Sequence, residues 1–140
     1  MRDIRRRVMQ ASVLIADADP EAARNLEREL TSRGYSCVTV GSGREALAVA
    51  RKRPFDVAVV DMNLQDLKGY QLVPLLKDVC EGTKMIFSTS EHSDEIEKAA
   101  RETGIVFYAI KANNMVEVLS AVSSAVRAKR REEESERVIG

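Results

Sequence analysis
The most constraining feature of the chain is an alternation: five short runs rich in β-forming residues, each followed by a stretch with helical periodicity. The runs are Val13 to Ala16, Cys37 to Val40, Val57 to Val60, Met85 to Ser88 and Val106 to Ile110. Neighbouring parallel strands cannot be joined by a tight turn; they need a crossover of a dozen residues or more, which a helix supplies. The alternation therefore predicts an α/β fold, a doubly wound five-stranded parallel sheet with helices on both faces. The first, third and fifth runs are almost continuously apolar and read as central strands, whereas the second alternates through Thr39 and reads as an edge. At 140 residues the chain has the length of one domain with a substantial core.

Cap chemistry marks the helices. Asp19 is placed to cap the first, Pro20 suits its first position, Ala23, Leu26 and Leu30 form one stripe, and Gly34 ends it. Ser42 and Glu45 make a capping box ahead of Ala46, Leu47 and Ala50, and Pro54 closes that helix. In the third, Leu72, Leu75, Leu76 and Val79 share a face, but Pro74 would break an interior turn, so this helix is expected to start late or to kink. Ser93 opens a fourth, with Ile96, Ala99, Ala100 and Thr103 inward and Gly104 as its stop; Asn114 and Glu117 open a fifth, striped by Met115, Leu119, Val122 and Val126. Past Val126 a charge run from Arg127 to Arg137 replaces the stripe. Lys129 with Glu133, and Glu133 with Arg137, lie four apart and support a helix that continues into solvent; a homodimer or partner contact is the other use for such a segment. The expected layout is a basic extension over 1–10, the domain over 11–126 and a charged helical extension or tail over 127–140, too short for an output domain.

Composition removes several classes of function. Lysine plus arginine and aspartate plus glutamate both number 22, so no global field draws the chain to nucleic acid or to an anionic membrane. The longest apolar stretches, such as Ile105 to Ile110, are about a third of a bilayer crossing, and no apolar core follows Arg2 and Arg5 to Arg7. A cytoplasmic chain with no membrane segment is expected. Cys37 and Cys80 are too few for a zinc ribbon or a disulfide scaffold and read as reduced, partly buried fillers. A single histidine, His92, excludes a multi-histidine metal centre and reads as a solvated loop residue.

In an open parallel sheet the functional crevice lies outside the carboxyl ends of the strands, where the strand order reverses. That rule selects Asp17 and Asp19 after the first strand, Asp61 after the third, Ser88 and Thr89 after the fourth, and Lys111 after the fifth. If strands one and three are neighbours, two carboxylates, a hydroxyl and an ammonium share one rim. Clustered carboxylates repel unless a positive charge sits between them, so the set suits a hard divalent cation and a transferred phosphoryl group beside it. A carboxylate can itself act as the nucleophile and form an acyl phosphate, leaving the protein to position and neutralise the phosphoryl oxygens.

The stretch Val13-Leu14-Ile15-Ala16-Asp17-Ala18-Asp19-Pro20, the block from Phe55 through Asp61-Met62-Asn63-Leu64 to Gly69, the segment Gly43 to Leu47, and the interval from Thr89 to Lys111 with Gly104 and Tyr108 between them resemble the receiver domain of bacterial two-component response regulators. The likeness covers about residues 11–126. It implies a flavodoxin-like strand order, 2-1-3-4-5. It also implies that Asp61 is the phosphoacceptor, served by a sensor histidine kinase or a phosphotransfer protein. Lys111 would pair with the phosphoryl group, Thr89 would be the switch hydroxyl, and Tyr108 the aromatic that changes rotamer with it. Mg²⁺ would be held by Asp17, Asp61 and the backbone carbonyl of Asn63, with Asp19 as a further candidate. A downstream protein would read the fourth helix, fifth strand and fifth helix.

Three positions depart from the pattern. Ala18 stands where the family usually has a second, metal-binding acid, and Gln65 and Ala112 stand where it has prolines. The missing carboxylate predicts a weak Mg²⁺ site. It also sets out the competing reading, a receiver-like interaction module in which phosphorylation is weak or absent. A cofactor enzyme on the same fold would need a phosphate-cradling loop after the first strand, and Asp17-Ala18-Asp19 is its electrostatic opposite. The chain is expected to be a signalling domain rather than an enzyme, catalysing at most its own phosphotransfer.

Overall fold
The computed structural model describes residues 10–111 and 115–139. Within them, strands β1 (Ser12–Ala16), β2 (Ser36–Val40), β3 (Val57–Asp61), β4 (Lys84–Thr89) and β5 (Phe107–Ile110) alternate with helices α1 (Pro20–Ser32), α2 (Gly43–Lys52), α3 (Gly69–Val79), α4 (Asp94–Arg101) and α5 (Val116–Ile139). All strand pairs are parallel and the order is β2-β1-β3-β4-β5. The expected doubly wound sheet and its 2-1-3-4-5 order are what the chain forms.

Alternation along the strands divides the core into two layers. Val13, Ile15, Val57, Val59, Ile86 and Ala109 point to one face and pack with Ala23, Leu26 and Leu30 of α1 and with Val118, Ala121, Val122, Ala125 and Val126 of α5. Leu14, Ala16, Ala58, Val60 and Met85 point to the other, against Ala46 and Ala50 of α2 and Leu72, Val73 and Leu76 of α3. Phe87 and Tyr108 extend that second layer under Ala100 of α4. At the opposite end from the strand tips, the Asp56 carboxylate accepts from the Ser12 backbone N–H at 2.8 Å and fixes the start of β3 beside the start of β1.

The caps form largely as their chemistry dictates. Asp19 accepts from the amides of Glu21 and Ala22, Ser42 from Glu45, and Ser93 from Ile96. Gly34 and Gly104, the expected stops of α1 and α4, take φ of +91° and +84°, a region costly for residues with a Cβ. The expected start of α5 at Asn114 lies outside the described residues.

Two expectations are corrected, and of the two outcomes expected from Pro74 the late start does not occur. The fifth strand is an edge, paired only with β4, while β4 is central. An apolar run reports that both faces of a strand are covered, which α4 and α5 do for β5, and says nothing about lateral neighbours. The third helix does not start late: it runs from Gly69 with Pro74 inside it, and the Gln71 side chain accepts from the Lys68 backbone N–H at 2.9 Å to close its first turn. Pro74 lies on the exposed side, so burial of Gly69, Leu72, Val73 and Leu76 holds the helix across the amide that proline lacks. Its inward face includes Val73, whereas Leu75 is 43% exposed.

Helix α5 continues for 24 residues, roughly 36 Å at 1.5 Å per residue. Its charged half is tied back to the domain by the pair between Lys84, at the start of β4, and Glu132, while Lys129 and Glu133, four apart, pair within the helix at 3.3 Å. Both cysteines are free and half-buried, as expected. No helix among the described residues is long and apolar enough to cross a membrane.

Candidate functional site
The carboxyl ends of β1, β3, β4 and β5 bring the selected residues to one edge. Asp17 follows β1 and is held by its N–H to the Val40 carbonyl at 2.9 Å. Asp61 closes β3 opposite Ser88. Lys111 leaves β5 with its N–H on the Thr89 carbonyl at 2.7 Å. By strand alternation Asp17, Asp61 and Lys111 all fall on the α1/α5 side, in phase with Ile15, Val59 and Ala109. That phase makes them neighbours. The Lys111 ammonium lies 2.5 Å from Asp17 Oδ2 and 2.6 Å from Asp61 Oδ1, one cation shared by two carboxylates from different strands.

The other carboxylate oxygens are engaged as well. Asp17 Oδ1 accepts from the Asp19 N–H at 2.9 Å, and Asp61 Oδ2 from the Asn63 N–H at 2.9 Å. Both aspartates are 7% exposed. Burial, which penalises the charged form, raises the Asp61 pKa above its ordinary value; the hydrogen bond and charge of Lys111 and the Asn63 amide pull it down without restoring it, and Asp17 adds repulsion. Burial works against the Lys111 ammonium too, but two carboxylates outweigh it and raise its pKa. With three charges summing to −1, the pair of acids is only half neutralised.

Thr89 sits in the opposite phase, in line with Met85 and Phe87, and is fully buried; its Oγ1 accepts from the Glu91 N–H at 2.9 Å. Tyr108 shares that face. It is 6% exposed and stacked on Phe87 with ring centroids 5.5 Å apart, and its hydroxyl lies 3.0 Å from Nδ1 of His92. His92 is exposed, as expected, yet it is tied to the core through this bond.

A cleft of about 430 Å³ opens above the acid pair, lined by Asp17, Ala18, Asp19, Ala22, Asp61, Asn63, Ser90 and Lys111. Asp19 stands on its rim with Oδ1 occupied as the cap of α1. The Asn63 carbonyl accepts from the Ala18 N–H at 3.3 Å, so Ala18 and the β3–α3 connection touch across the cleft. Gln65 approaches Gly41 on the far side. Ala112 lies outside the described residues. No cluster of three or more histidine, cysteine, aspartate or glutamate side chains suited to a metal occurs among the described residues. Two carboxylates and a carbonyl are nonetheless hard oxygen donors, a set that fits a Mg²⁺ ion keeping several of its waters.

Ser90 and Ala22 belong to the cleft without having been singled out by sequence. Asp66 was also missed: its carboxylate accepts from Gly43 and Arg44 at the start of α2, a contact across 22 and 23 residues that no local pattern encodes.

The chain is similar to known proteins over most of its length. The model of the response regulator receiver domain matches residues 13–123. The transcriptional regulatory protein KdpE of Mycobacterium tuberculosis is 32% identical over 116 residues, 82% of this chain and 50% of KdpE, so the chain spans about half the length of that relative. The structure of the Vibrio cholerae chemotaxis protein CheY4 superposes with a TM-score of 0.76 at 27% identity, covering 83% of this chain and 98% of CheY4. A response regulator protein from Burkholderia pseudomallei, solved with a phosphorylated aspartic acid, a calcium ion and citrate, superposes with a TM-score of 0.76 at 26% identity, covering 91% of this chain and 75% of that one. With its strand order, its acidic edge and a family match over most of its length, the chain belongs to the receiver domains of two-component response regulators, which serve phosphorylation-based signalling.

Proposed function
We propose that Asp61 accepts the phosphoryl group, from a phosphohistidine on a sensor histidine kinase or a phosphotransfer protein. The observation that carries this is the shared lysine: Asp61 is buried at the sheet edge with its nucleophilic oxygen 2.6 Å from the Lys111 ammonium. An Asp61 oxygen attacks phosphorus, a P–O bond forms as the P–N bond breaks, and the departing imidazole nitrogen keeps the electron pair and takes a proton. Lys111, already between the two acids, follows the charge onto the phosphoryl oxygens, and the Asn63 N–H holds the second Asp61 oxygen in place. Thr89, whose Oγ1 accepts from the Glu91 N–H, keeps its O–H to donate to the new group, and turning toward it draws on the loop held by that bond. Movement of that loop is the route by which Tyr108 and the surface of α4, β5 and α5 sense the modification and present it to a downstream protein.

Receiver domains typically bind Mg²⁺. In this chain Asp17, Asp61 and the Asn63 carbonyl would hold it, with Asp19 within the same cleft; when bound, the ion neutralises phosphoryl charge. Ala18 removes one carboxylate from that set and makes the site weak. The same residue supports a second reading, an interaction module that signals without phosphotransfer, since every oxygen of the acid pair already has a donor. In either case we assign the domain to residues 11–126 of a cytoplasmic protein.

Intact-mass measurement after incubation with acetyl phosphate and graded Mg²⁺ separates the two. The phosphoacceptor reading expects slow labelling of the wild type at high Mg²⁺, faster labelling at lower Mg²⁺ in Ala18→Asp, and none in Asp61→Asn. No labelling even of Ala18→Asp would leave the interaction module.

A further inference from the structure
The connection from β3 to α3, residues 62–68, carries Asn63 and has Gln65 where a stiff residue would fix the backbone. It is held instead by hydrogen bonds to a helix that precedes it in sequence. The Asp66 carboxylate accepts from the N–H of Gly43 at 2.7 Å and of Arg44 at 3.0 Å, the first two amides of α2. The Gln65 N–H donates to the Gly41 carbonyl at 3.2 Å, and the Leu64 N–H to the Leu67 carbonyl at 3.2 Å. Leu67 lies so close to Gly43 that a Cβ there would stand 2.5 Å from Leu67 Cδ1.

The first amides of a helix have no partner within it, and an anion placed on them gains from the helix dipole as well. In α2 that demand is divided: Ser42 takes the Glu45 amide, and Asp66 takes Gly43 and Arg44. The two bonds to Asp66, that from Gly43 foremost, hold its carboxyl below the ordinary aspartate range. Asp66 is only three residues from Asn63, whose N–H binds Asp61 and whose carbonyl meets Ala18.

We propose that Asp66 is a positioning residue for the acidic site: clamped on the start of α2, it fixes the β3–α3 connection so that Asn63 presents its carbonyl to a divalent cation and its N–H to Asp61. The clamp supplies by hydrogen bonding the stiffness that Gln65 does not. Its consequence for phosphotransfer rests on the reading of Asp61 given above; its effect on the loop and on cation binding does not.

The test compares Asp66→Ala, Asp66→Asn and Ser42→Ala with the wild type. Three quantities are read: amide hydrogen exchange of Asn63, Leu64 and Gln65 without metal, Mg²⁺ binding followed by the Asn63 amide shift, and the Mg²⁺ needed for half-maximal labelling by acetyl phosphate. Asp66→Ala is expected to speed exchange at those amides and to raise the Mg²⁺ half-saturation about ten-fold, the lower end of what outer-shell partners of a metal site contribute. Asp66→Asn keeps one acceptor oxygen and falls between. Ser42→Ala weakens the same end of α2 without touching the connection, and leaves Mg²⁺ half-saturation at the wild-type value. Unchanged exchange and Mg²⁺ binding in Asp66→Ala would overturn the proposal, as would an equal rise in Ser42→Ala. Were the wild type never labelled, exchange and metal binding would still decide the role of Asp66, and only the assignment of Asp61 would fall.

Discussion

Replacing Gly69 with alanine sets two physical effects of opposite sign against each other. Gly69 is the first residue of α3, its N–H bonds the Met62 carbonyl at 2.8 Å, and its φ is not positive, so helix propensity alone predicts that alanine gains up to about 1 kcal/mol. Packing predicts the reverse. A Cβ at this position would overlap the Asp61 carbonyl oxygen, stand 3.0 Å from the Asp61 carbonyl carbon and 2.9 Å from Cε2 of Phe87. The phenyl ring could shift a little. The carbonyl cannot, because β3 is paired on both sides, with β1 and with β4. Overpacking of this kind costs about 1–3 kcal/mol. The obstacle is backbone, which puts the cost at the upper end, and with the propensity gain subtracted about 2 kcal/mol is lost. Unfolding entropy near 2.1 cal/mol/K per residue makes about 0.3 kcal/mol/K for a chain of this length, so Tm should fall by roughly 7 °C. Thermal unfolding followed by circular dichroism measures it, and the Gly69→Ala, Phe87→Leu double variant should recover none of the loss, since the backbone obstacle stays. A Tm equal to or above that of the wild type would refute the claim that α3 is docked on Asp61 through a missing side chain.

Further outcomes follow from the charges of two lysines, Lys111 and Lys84. In Lys111→Met the Asp61 carboxyl loses the hydrogen bond and the charge that restrain its pKa, so its midpoint, already above 3.8 through burial, moves higher still; a carboxyl-carbon NMR titration that showed a fall would contradict the shared-lysine geometry. The Lys111 pKa is itself raised, so its stabilising contribution is complete below about 10.5 and disappears as pH climbs through the folded-state value, an alkaline loss that Lys111→Met lacks. In Lys84→Met the charged half of α5 loses its tie to β4, and amides of residues 129–137 should exchange faster. Lys84 lowers the Glu132 pKa, so in the wild type this contact is complete above the usual glutamate value of 4.5 and weakens as pH falls through the lower folded value; exchange rates insensitive to Lys84→Met would mean that the segment is held by something else.

What the sequence determined by itself was local in origin. Asp19, Ser42 and Ser93 define helix starts because a short side-chain acceptor meets amides two or three residues on, within reach of one turn of chain. The strand–helix alternation fixes a covered parallel sheet for a similar reason: the crossover length is written in consecutive residues. The acidic edge was legible too, since Asp17, Asp61, Thr89 and Lys111 each follow an apolar run, and strand ends are where such a sheet gathers its polar groups. Tertiary structure decided everything that depends on which strands lie side by side and in what phase. An apolar run could not show that β5 is an edge and β4 central, because burial on two faces leaves the lateral partner open. The phase that puts Asp17, Asp61 and Lys111 together while turning Thr89 toward α3 and α4 comes from pairing register, which residue types alone do not specify. Asp66 on α2 and Glu132 on Lys84 join residues tens of positions apart, and the space taken from Gly69 belongs to a carbonyl in another element. Such contacts are set by how layers close on one another, and a chain read in order carries no periodic trace of them.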